Sequence, residues 1–347
     1  MKGTSVFLDH VLDRRVAVRM VDGRVEDLLV DPPEGGPNVP GTVFLAKVGR
    51  QMKGQGGVFV QLPHGQGFLR QAKGLAQGQS VLVQVTGYAE PGKAVPVTLK
   101  LLFKSRFAIV TPDAPGLNVS RRIRDEDARA ALKSLAEDLM DGSEFGLILR
   151  SEAEGADEGE IAEDIAEMRS LAEAILGESS GDPQLLLEGA DSHALAWRDW
   201  GTPDEIVTDA GCLETRGVLD DLSLALSGDI PLTGGGSLVV EPTRALVAVD
   251  VNTGGDQSPA AALKANIEAA RELPRALRLR GLGGQIVVDF APLAKKDRRQ
   301  IEQVLKSTLR ADPVETAMIG WTPLGHFELQ RKRERPPLDP TVTEALR

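Results

Sequence analysis

The sequence predicts an α+β fold made of several subdomains, and two patterns and the chain length lead to this prediction. Residues 41–103 read as five short apolar segments separated by glycines, which is typical of a small closed β-barrel. After residue 228, β-branched runs alternate with amphipathic helical segments, which indicates a sheet covered by helices. A chain of 347 residues is long enough to hold two or more such units.

The composition excludes several classes of protein. With 41% hydrophobic residues the chain can bury a sizeable core, which excludes global disorder. A net charge of −11 argues against a general polyanion binder, although the basic residues are clustered. The single cysteine, Cys212, excludes an intrachain disulfide and a multi-cysteine zinc site. We see no leader and no long apolar span, so we expect a soluble cytoplasmic protein without a membrane partner.

The first 36 residues read as part of a small sheet. Residues 5–31 alternate in polarity, and Asp22-Gly23 is typical of the tight turn of a β-hairpin. A hairpin is too small to be stable alone, so it must pack against a later segment. The helix–strand–helix pattern of residues 184–227 is our candidate, which would make residues 1–36 and 184–227 one discontinuous subdomain.

Residues 37–103 hold the predicted barrel, and an oligonucleotide-binding barrel is the commonest choice for five short strands. Phe59 and Phe68 lie on its second and third predicted strands, and Lys93 precedes the last. These rings are candidates for stacking on bases, with Lys93 contacting phosphate. Alternatively both rings belong to the barrel core, and the sequence pattern does not decide between the two.

Residues 104–183 carry candidate phosphate contacts. Arg121 and Arg122 form a basic turn, and Arg150-Ser151 ends a predicted strand. An arginine and a hydroxyl at a strand end can bind a phosphate. Alternatively they only terminate the strand.

Two apolar, β-branched runs in residues 228–347 each end in an aspartate, Asp250 and Asp289. The runs are typical of strands buried on both faces. Asn252 follows Asp250 by two positions, where alternation places it on the same face. Two neighbouring strands that end in carboxylates make a cluster of hard oxygen ligands, which suits Mg²⁺ held partly by water and phosphate. Alternatively each aspartate caps the turn after its strand.

Basic residues lie on both sides of these runs in sequence. Cations that hold a polyanion beside a metal-binding carboxylate pair are what a nuclease needs. The basic positions are a helical stripe at Arg271, Arg275, Arg278 and Arg280, a cluster at residues 295–299, and a second cluster at residues 331–335 that contains Arg331 and Arg333.

Five segments of the sequence resemble the catalytic region of the ribonuclease E/G family. They are Val249–Asn252, Asn266–Ala270, Leu277–Arg280, Gly283–Phe290 and Leu324–Arg333, and the resemblance extends more weakly upstream through Ser120–Ile123 and the barrel. The resemblance implies an RNase H-like subdomain (residues 1–36 and 184–227), an inserted OB-fold RNA-binding barrel (37–103), a 5′-sensor region (104–183) and a DNase I-like catalytic subdomain (228–347).

The resemblance also implies an activity, Mg²⁺-dependent endonucleolytic cleavage of single-stranded RNA that leaves a 5′-phosphate and a 3′-hydroxyl. By motif, Asp250 and Asp289 resemble the magnesium ligands, and Asn252 resembles the catalytic residue beside them. Arg150 and Ser151 fall where the family binds a 5′-monophosphate. The residues expected to contact RNA are Phe59, Phe68, Lys93, Arg121, Arg122, Arg331 and Arg333.

The sequence also departs from the family pattern. A Cys-Pro-x-Cys zinc link is missing, so a zinc-linked tetramer is not expected, while a dimer stays open. The acidic segment that follows Arg150 would repel a 5′-phosphate, and residues 184–227 are short for the RNase H-like part. Two rival hypotheses remain: an RNA-binding protein of the same fold with little or no cleavage, and a phosphodiesterase acting on small nucleotides, for which the barrel would be superfluous.

Overall fold

The computed structural model describes residues 2–33, 38–51, 56–70, 73–89 and 92–347. The chain forms two compact units, Met1–Glu34 with Thr202–Arg347, and Gly35–Gly201. In chain order, its strands are β1 (Thr4–Val11), β2 (Arg14–Val21), β3 (Arg24–Val30), β4 (Val43–Gln51), β5 (Gly57–Gln61), β6 (Gln66–Arg70), β7 (Ser80–Val85), β8 (Val95–Thr98), β9 (Phe103–Lys104), β10 (Ala108–Thr111), β11 (Leu117–Val119), β12 (Gly146–Leu149), β13 (Gln184–Leu187), β14 (Glu205–Val207), β15 (Asp229–Pro231), β16 (Ser237–Pro242), β17 (Val247–Asn252), β18 (Gly284–Asp289), β19 (Thr316–Trp321) and β20 (Phe327–Arg331). Its α-helices are α1 (Glu126–Leu139), α2 (Glu158–Gly177), α3 (Ser192–Asp199), α4 (Cys212–Thr215), α5 (Val218–Ala225), α6 (Pro259–Leu279), α7 (Arg298–Ala311) and α8 (Pro340–Ala345).

A closed barrel occupies the first part of the unit formed by residues 35–201. Its strands follow the order β4-β5-β6-β8-β7, and β4 also pairs with β7, which closes the sheet. Side chains alternate along each strand, so that Val58, Val60 and Leu69 fill the interior. The closed five-stranded barrel predicted for residues 41–103 is therefore confirmed.

Residues 184–201 lie in the barrel-containing unit. Strand β13 pairs with β4 at the edge of the barrel sheet, with Leu185 opposite Phe44. Leu187 packs against an apolar core of the same unit, which also holds this segment in place. Only from Thr202 onward does the chain join the N-terminal strands, where β14 pairs in parallel with β1.

A second sheet in the same unit follows the order β11-β12-β10-β9 and is packed against α1 and α2. Asp125 caps α1 by accepting a hydrogen bond from the Ala128 amide at 2.8 Å. Asp157 caps α2 in the same way. Strand β12 ends at Leu149, so Arg150 lies where that strand leaves the sheet.

The N-terminal strands form a sheet in the order β14-β1-β2-β3 rather than a single hairpin. The turn at Asp22-Gly23, with φ values of 51° and 77°, is the tight turn that the sequence predicts. A second tight turn at Leu12-Asp13, with φ values of 51° and 60°, joins β1 to β2 without any glycine. Leucine rarely adopts a positive φ, so the sequence pattern does not reveal this turn.

The last sheet follows the order β15-β16-β17-β18-β20-β19 and packs one face against α6 and α7. Along β17, Val247, Val249 and Val251 are buried, whereas Asp250 and Asn252 point to the opposite, exposed face. The prediction that these strands are buried on both faces was therefore wrong. The helices cover one side only, and the other side is an open polar surface.

Helix α6 continues past Pro274 to Leu279. Proline has no amide proton, so the carbonyl of Ala270 one turn earlier loses its usual helical partner. The Thr308 hydroxyl of α7 donates to that carbonyl at 3.0 Å and satisfies it. Among the described residues, no helix is both long enough and apolar enough to cross a membrane.

Candidate functional site

Asp250 and Asp289 stand side by side on the open face of the last sheet. Strands β17 and β18 are parallel, and their register pairs Asp250 directly with Asp289. Adjacent strands are about 4.7–4.9 Å apart, so paired residues project two neighbouring carboxylates from the same face. Both residues are exposed. The two strand ends predicted from the sequence are thus brought together.

Asn252 belongs to the same cluster. Its side-chain amide donates a hydrogen bond to Asp250 Oδ2 at 2.7 Å, which fixes the orientation of that carboxylate. Strand β16 passes close by, because a Cβ atom on Gly236 would lie only 2.2 Å from the Asn252 carbonyl oxygen. Glycine at position 236 therefore lets the β15–β16 turn approach the end of β17.

The chain that follows Asp289 is held by a buried asparagine. Asn266 of α6 is fully buried, and its side-chain amide donates to the Ala291 carbonyl at 2.9 Å. Its side-chain oxygen accepts from the Ala291 amide, also at 2.9 Å. These two bonds clamp the backbone two residues beyond Asp289, so Asn266 is a positioning residue for that carboxylate. Asn266 lies in one of the five segments that carry the family resemblance, but no role was predicted for it.

His326 also faces Asp289, although no role was predicted for it from the sequence. Strands β18 and β20 pair Val288 with Phe327, which puts His326 opposite Asp289. The distance from His326 Nε2 to Asp289 Oδ1 is 3.9 Å. Its place in the sequence could have indicated this role, because His326 directly precedes β20 and lies in the resemblance segment Leu324–Arg333.

A stacked arginine lies near the same sheet end. The Arg298 guanidinium sits over the Trp321 ring at 4.4 Å from its centroid. The Trp321 indole donates to Glu302 at 2.7 Å, which fixes the ring. A Cβ atom on Gly325 would be 3.4 Å from an Arg298 nitrogen, so this cation lies beside the turn that carries His326. Arg298 belongs to the basic cluster noted at residues 295–299, but no role was assigned to it.

The donor set of this site fits Mg²⁺. Two exposed carboxylates in register are hard oxygen ligands with room for water and phosphate oxygens, which is how Mg²⁺ is commonly held. Over the described part of the chain, no group of three or more His, Cys, Asp or Glu residues is arranged to hold a metal ion. Asp250 and Asp289 are the residues of this site that could hold such a cation.

Arg331 does not contact solvent, which corrects its predicted role as an RNA contact. It is 2% exposed, and its guanidinium pairs with Asp312 at 2.9 Å and donates to Thr316 Oγ1 at 2.8 Å. Alternation could have shown this, because Arg331 shares a strand face with the core residues Phe327 and Leu329. Burial lowers the pKa of this guanidinium, and the charge of Asp312 opposes that shift.

Arg333 lies away from the carboxylate pair, and the arginine stripe of α6 is partly buried. Arg333 packs against Gly284, where a Cβ atom would lie 2.3 Å from its guanidinium. Gly284 begins β18 and Asp289 ends it, so Arg333 lies at the opposite end of the strand from the carboxylate. The predicted helical stripe is not a surface either, because Arg275 and Arg278 are buried and pair with Glu272 and with Asp312, respectively.

Phe59 and Phe68 lie on the outer face of the barrel. They pair across β5 and β6, and their ring centroids are 5.3 Å apart. Neither ring belongs to the barrel core, which consists of their alternating neighbours such as Val58 and Leu69. Lys93 is exposed in the turn before β8. The alternative in which both rings fill the core therefore does not hold, and their contact with RNA stays a prediction.

Arg150 is heavily engaged within its own unit. Its guanidinium donates to the backbone carbonyls of Arg106 and Arg198 at 3.0 and 3.1 Å and pairs with Asp199 at 2.6 Å. Burial alone would raise the pKa of Asp199, but Arg198 and Lys104 hold it well below its usual value. A 5′-phosphate would have to compete with this carboxylate for Arg150.

The residues next to Arg150 differ in exposure. The Ser151 hydroxyl donates to Glu152 Oε2 at 3.1 Å and is half-buried. Arg121 and Arg122 are exposed in the turn after β11, which runs parallel to β12. These two arginines keep their predicted accessibility to a polyanion.

Comparisons with known proteins identify the family of this chain. A profile of the ribonuclease E/G family matches residues 103–212 and 207–334, which together are more than half of the chain. The chain belongs to the ribonuclease E/G family. The second matched segment contains β17 and β18, and therefore Asp250, Asn252 and Asp289.

Individual members of the ribonuclease E/G family match over most of this chain. Ribonuclease E of Nostoc is 33% identical over 301 residues, which covers 75% of this chain and 44% of the Nostoc protein. Ribonuclease G of Salmonella typhimurium is 27% identical over 395 residues, covering 96% of this chain and 80% of that protein. Ribonuclease G of Haemophilus influenzae is 30% identical over 301 residues, covering 76% of this chain and 61% of that protein.

Proposed function

We propose that this chain is an endoribonuclease that cleaves single-stranded RNA in RNA processing or decay, depends on Mg²⁺, and leaves 5′-phosphate and 3′-hydroxyl ends. The observation that carries the proposal is the register of Asp250 with Asp289 on an open sheet face. Relatives named ribonuclease E and ribonuclease G support the substrate class. Mg²⁺ bound there would polarise the scissile phosphate and make a coordinated water a better nucleophile.

The roles of the protein's own side chains follow from their contacts. Asp250 and Asp289 would hold the cation, and Asn252 keeps Asp250 in one orientation through its 2.7 Å hydrogen bond. Asn266 holds the backbone beyond Asp289. His326 lies at the edge of the pair, where its imidazole can contact a bound phosphate oxygen. Because the sheet face is open, a flexible single strand can cross it without being threaded through a closed channel.

The decisive experiment is a cleavage assay on a labelled, A/U-rich single-stranded RNA. Wild-type protein should cut internally with Mg²⁺ and not with EDTA, and Asp250→Ala and Asp289→Asn should abolish cutting while RNA binding persists. Asp220→Asn, which changes an exposed acid on α5, is the matched control and should cut normally. Downstream fragments should accept a kinase label only after phosphatase treatment, as a 5′-phosphate requires.

The main rival is an RNA-binding protein of the same fold with little or no cleavage. It predicts that RNA binds and stays intact with Mg²⁺, and that Asp289→Asn changes nothing measurable. Cutting that continues in EDTA, or that survives in both aspartate variants, would refute the assignment of Asp250 and Asp289.

A further inference from the structure

Trp197 of α3 is an exposed aromatic ring held by a cation. Its relative exposure is 57%, which is unusual for a side chain of this size. The Arg106 guanidinium lies over the ring at 4.4 Å from its centroid. The same guanidinium is 5.5 Å from the Phe107 ring centroid, and it donates to the Gly201 carbonyl at 3.3 Å. These contacts hold the Arg106 side chain in place. The Trp197 indole that packs against it is therefore exposed to solvent in a defined orientation.

This ring lies at one end of the β11-β12-β10-β9 sheet. Leu149 at the end of β12 pairs with Ala108 and with Val119, so the turns beside these residues meet at the same sheet end. Helix α3 is attached there, because Arg150 donates to the Arg198 carbonyl. The basic side chains that the strand ends and α3 bring to this edge are Lys104, Arg106, Arg121, Arg122, Arg150 and Arg198.

Several cations are gathered at this edge although the whole chain has a charge of −11. The acids bound within it are Asp199, Glu152 and Asp164. Asp199 and Glu152 pair with Arg150, and Asp164 accepts from the Phe107 amide. Arg121 and Arg122 remain exposed at this edge. Cations around an exposed aromatic ring are the usual composition of a surface that binds single-stranded nucleic acid.

We propose that Trp197 and Arg106 form a base-stacking platform for single-stranded RNA, beside the predicted phosphate contacts Arg121 and Arg122. The proposal rests on the proposed function, because that function supplies the RNA. It adds a contact to a base, which is distinct from any grip on a terminal phosphate by Arg150. Every base has a π face, so such a platform takes RNA without reading its sequence.

The first test is RNA binding by the full chain in EDTA, where the proposed cleavage cannot occur. The probe is a 3′-labelled, single-stranded RNA with a 5′-hydroxyl, followed by fluorescence anisotropy. Trp197→Ala should weaken binding by about 5- to 150-fold, the range expected for losing one stacked base, and Trp197→Phe should fall in between. Leu224→Ala, a 60% exposed apolar residue of α5, is the matched control and should bind like wild type.

The second test reads the ring directly. RNA should quench the tryptophan fluorescence of the wild-type chain, and Trp197→Phe should remove most of that quenching. Arg106→Gln should weaken binding too, and its effect should not add to that of Trp197→Ala if the two side chains form one platform.

The outcomes separate the two proposals. Wild-type binding with unchanged affinity in Trp197→Ala and Trp197→Phe would overturn the platform and leave the nuclease standing. No RNA binding by the wild-type chain would overturn the proposed function and the platform together. The exposure of Trp197 means that its removal should not disturb folding, and matching thermal unfolding curves check this.

Discussion

Replacing Asn266 by alanine tests whether the catalytic geometry depends on a residue that never contacts the substrate. The side chain is fully buried on α6 and makes two hydrogen bonds of 2.9 Å to the backbone of Ala291. Ala291 is itself buried, with 4% exposure, so water cannot easily replace the lost partner. The substitution removes no residue of the carboxylate pair.

The magnitude follows from the groups left without a partner. A buried backbone amide or carbonyl that loses its hydrogen bond costs about 1–3 kcal/mol, so the two groups of Ala291 should cost about 2–6 kcal/mol in the free energy of unfolding. The backbone two residues before Ala291 carries Asp289. Loss of an outer-shell support for a metal ligand typically lowers affinity or activity about 10- to 100-fold.

Two measurements check this prediction. Urea unfolding should show the loss of stability, and RNA cleavage measured against Mg²⁺ concentration should show a defect that is larger when Mg²⁺ is limiting. Asn118→Ala, an exposed asparagine on β11, is the control and should change neither quantity. Wild-type cleavage at limiting Mg²⁺ in a folded Asn266→Ala protein would refute the positioning role. A loss of stability below about 0.5 kcal/mol would refute the energetic argument.

Three further predictions follow from buried and exposed side chains. Arg331→Met should destabilise the fold by about 1–3 kcal/mol, because it removes one of the two arginines that pair with Asp312, a carboxylate with 1% side-chain exposure, and leaves only Arg278 there, while RNA affinity of the folded protein stays unchanged. Urea unfolding measures the stability, and fluorescence anisotropy measures the RNA affinity. Phe59→Ala should weaken RNA binding by about 1–3 kcal/mol and leave the free energy of unfolding almost unchanged. Unchanged binding would exclude stacking. Burial tends to raise the pKa of Asp27, but the charge of Arg335 and its hydrogen bonds lower it overall, so this carboxylate stabilises the fold above its unfolded-state pKa. This contribution to the free energy of unfolding should disappear as the pH falls through the folded-state pKa of Asp27. Urea unfolding of the Asp27→Asn variant, measured over the same pH range, should lack this decrease.

The barrel and the carboxylate pair were predictable because local patterns determine them. Alternating apolar residues between glycines specify short strands, and the β-branched runs before Asp250 and Asp289 specify two neighbouring strand ends. The turn at Asp22-Gly23 was predictable for the same reason. The turn at Leu12-Asp13 was not, because the pairing of β1 with β2 imposes a positive φ on Leu12, which leucine rarely adopts.

The cations were harder to place, because burial of a charge depends on partners that lie far away in sequence. Arg331 pairs with Asp312, and Arg335 pairs with Asp27 on β3. The basic cluster at residues 331–335 therefore looked like a surface, although two of its members, Arg331 and Arg335, pair with acids inside the fold. His326 was missed for a related reason: strand pairing, rather than sequence spacing, brings it to Asp289.

The buried arginines also change what the net charge means for RNA affinity. Arg275, Arg278, Arg331 and Arg335 are paired with acids inside the fold, so they contribute little to the field outside it. The cations that can release counterions from RNA are the exposed ones, which include Arg121 and Arg122. Each phosphate contact steepens the dependence of log affinity on log salt by about 0.7 for a single strand. Neutralising Arg121 or Arg122 to glutamine should therefore flatten that slope by about this amount. A folded Arg331→Met protein should keep the wild-type slope. An equal flattening in this variant would show that Arg331 contacts RNA and that the distinction between buried and exposed cations is wrong.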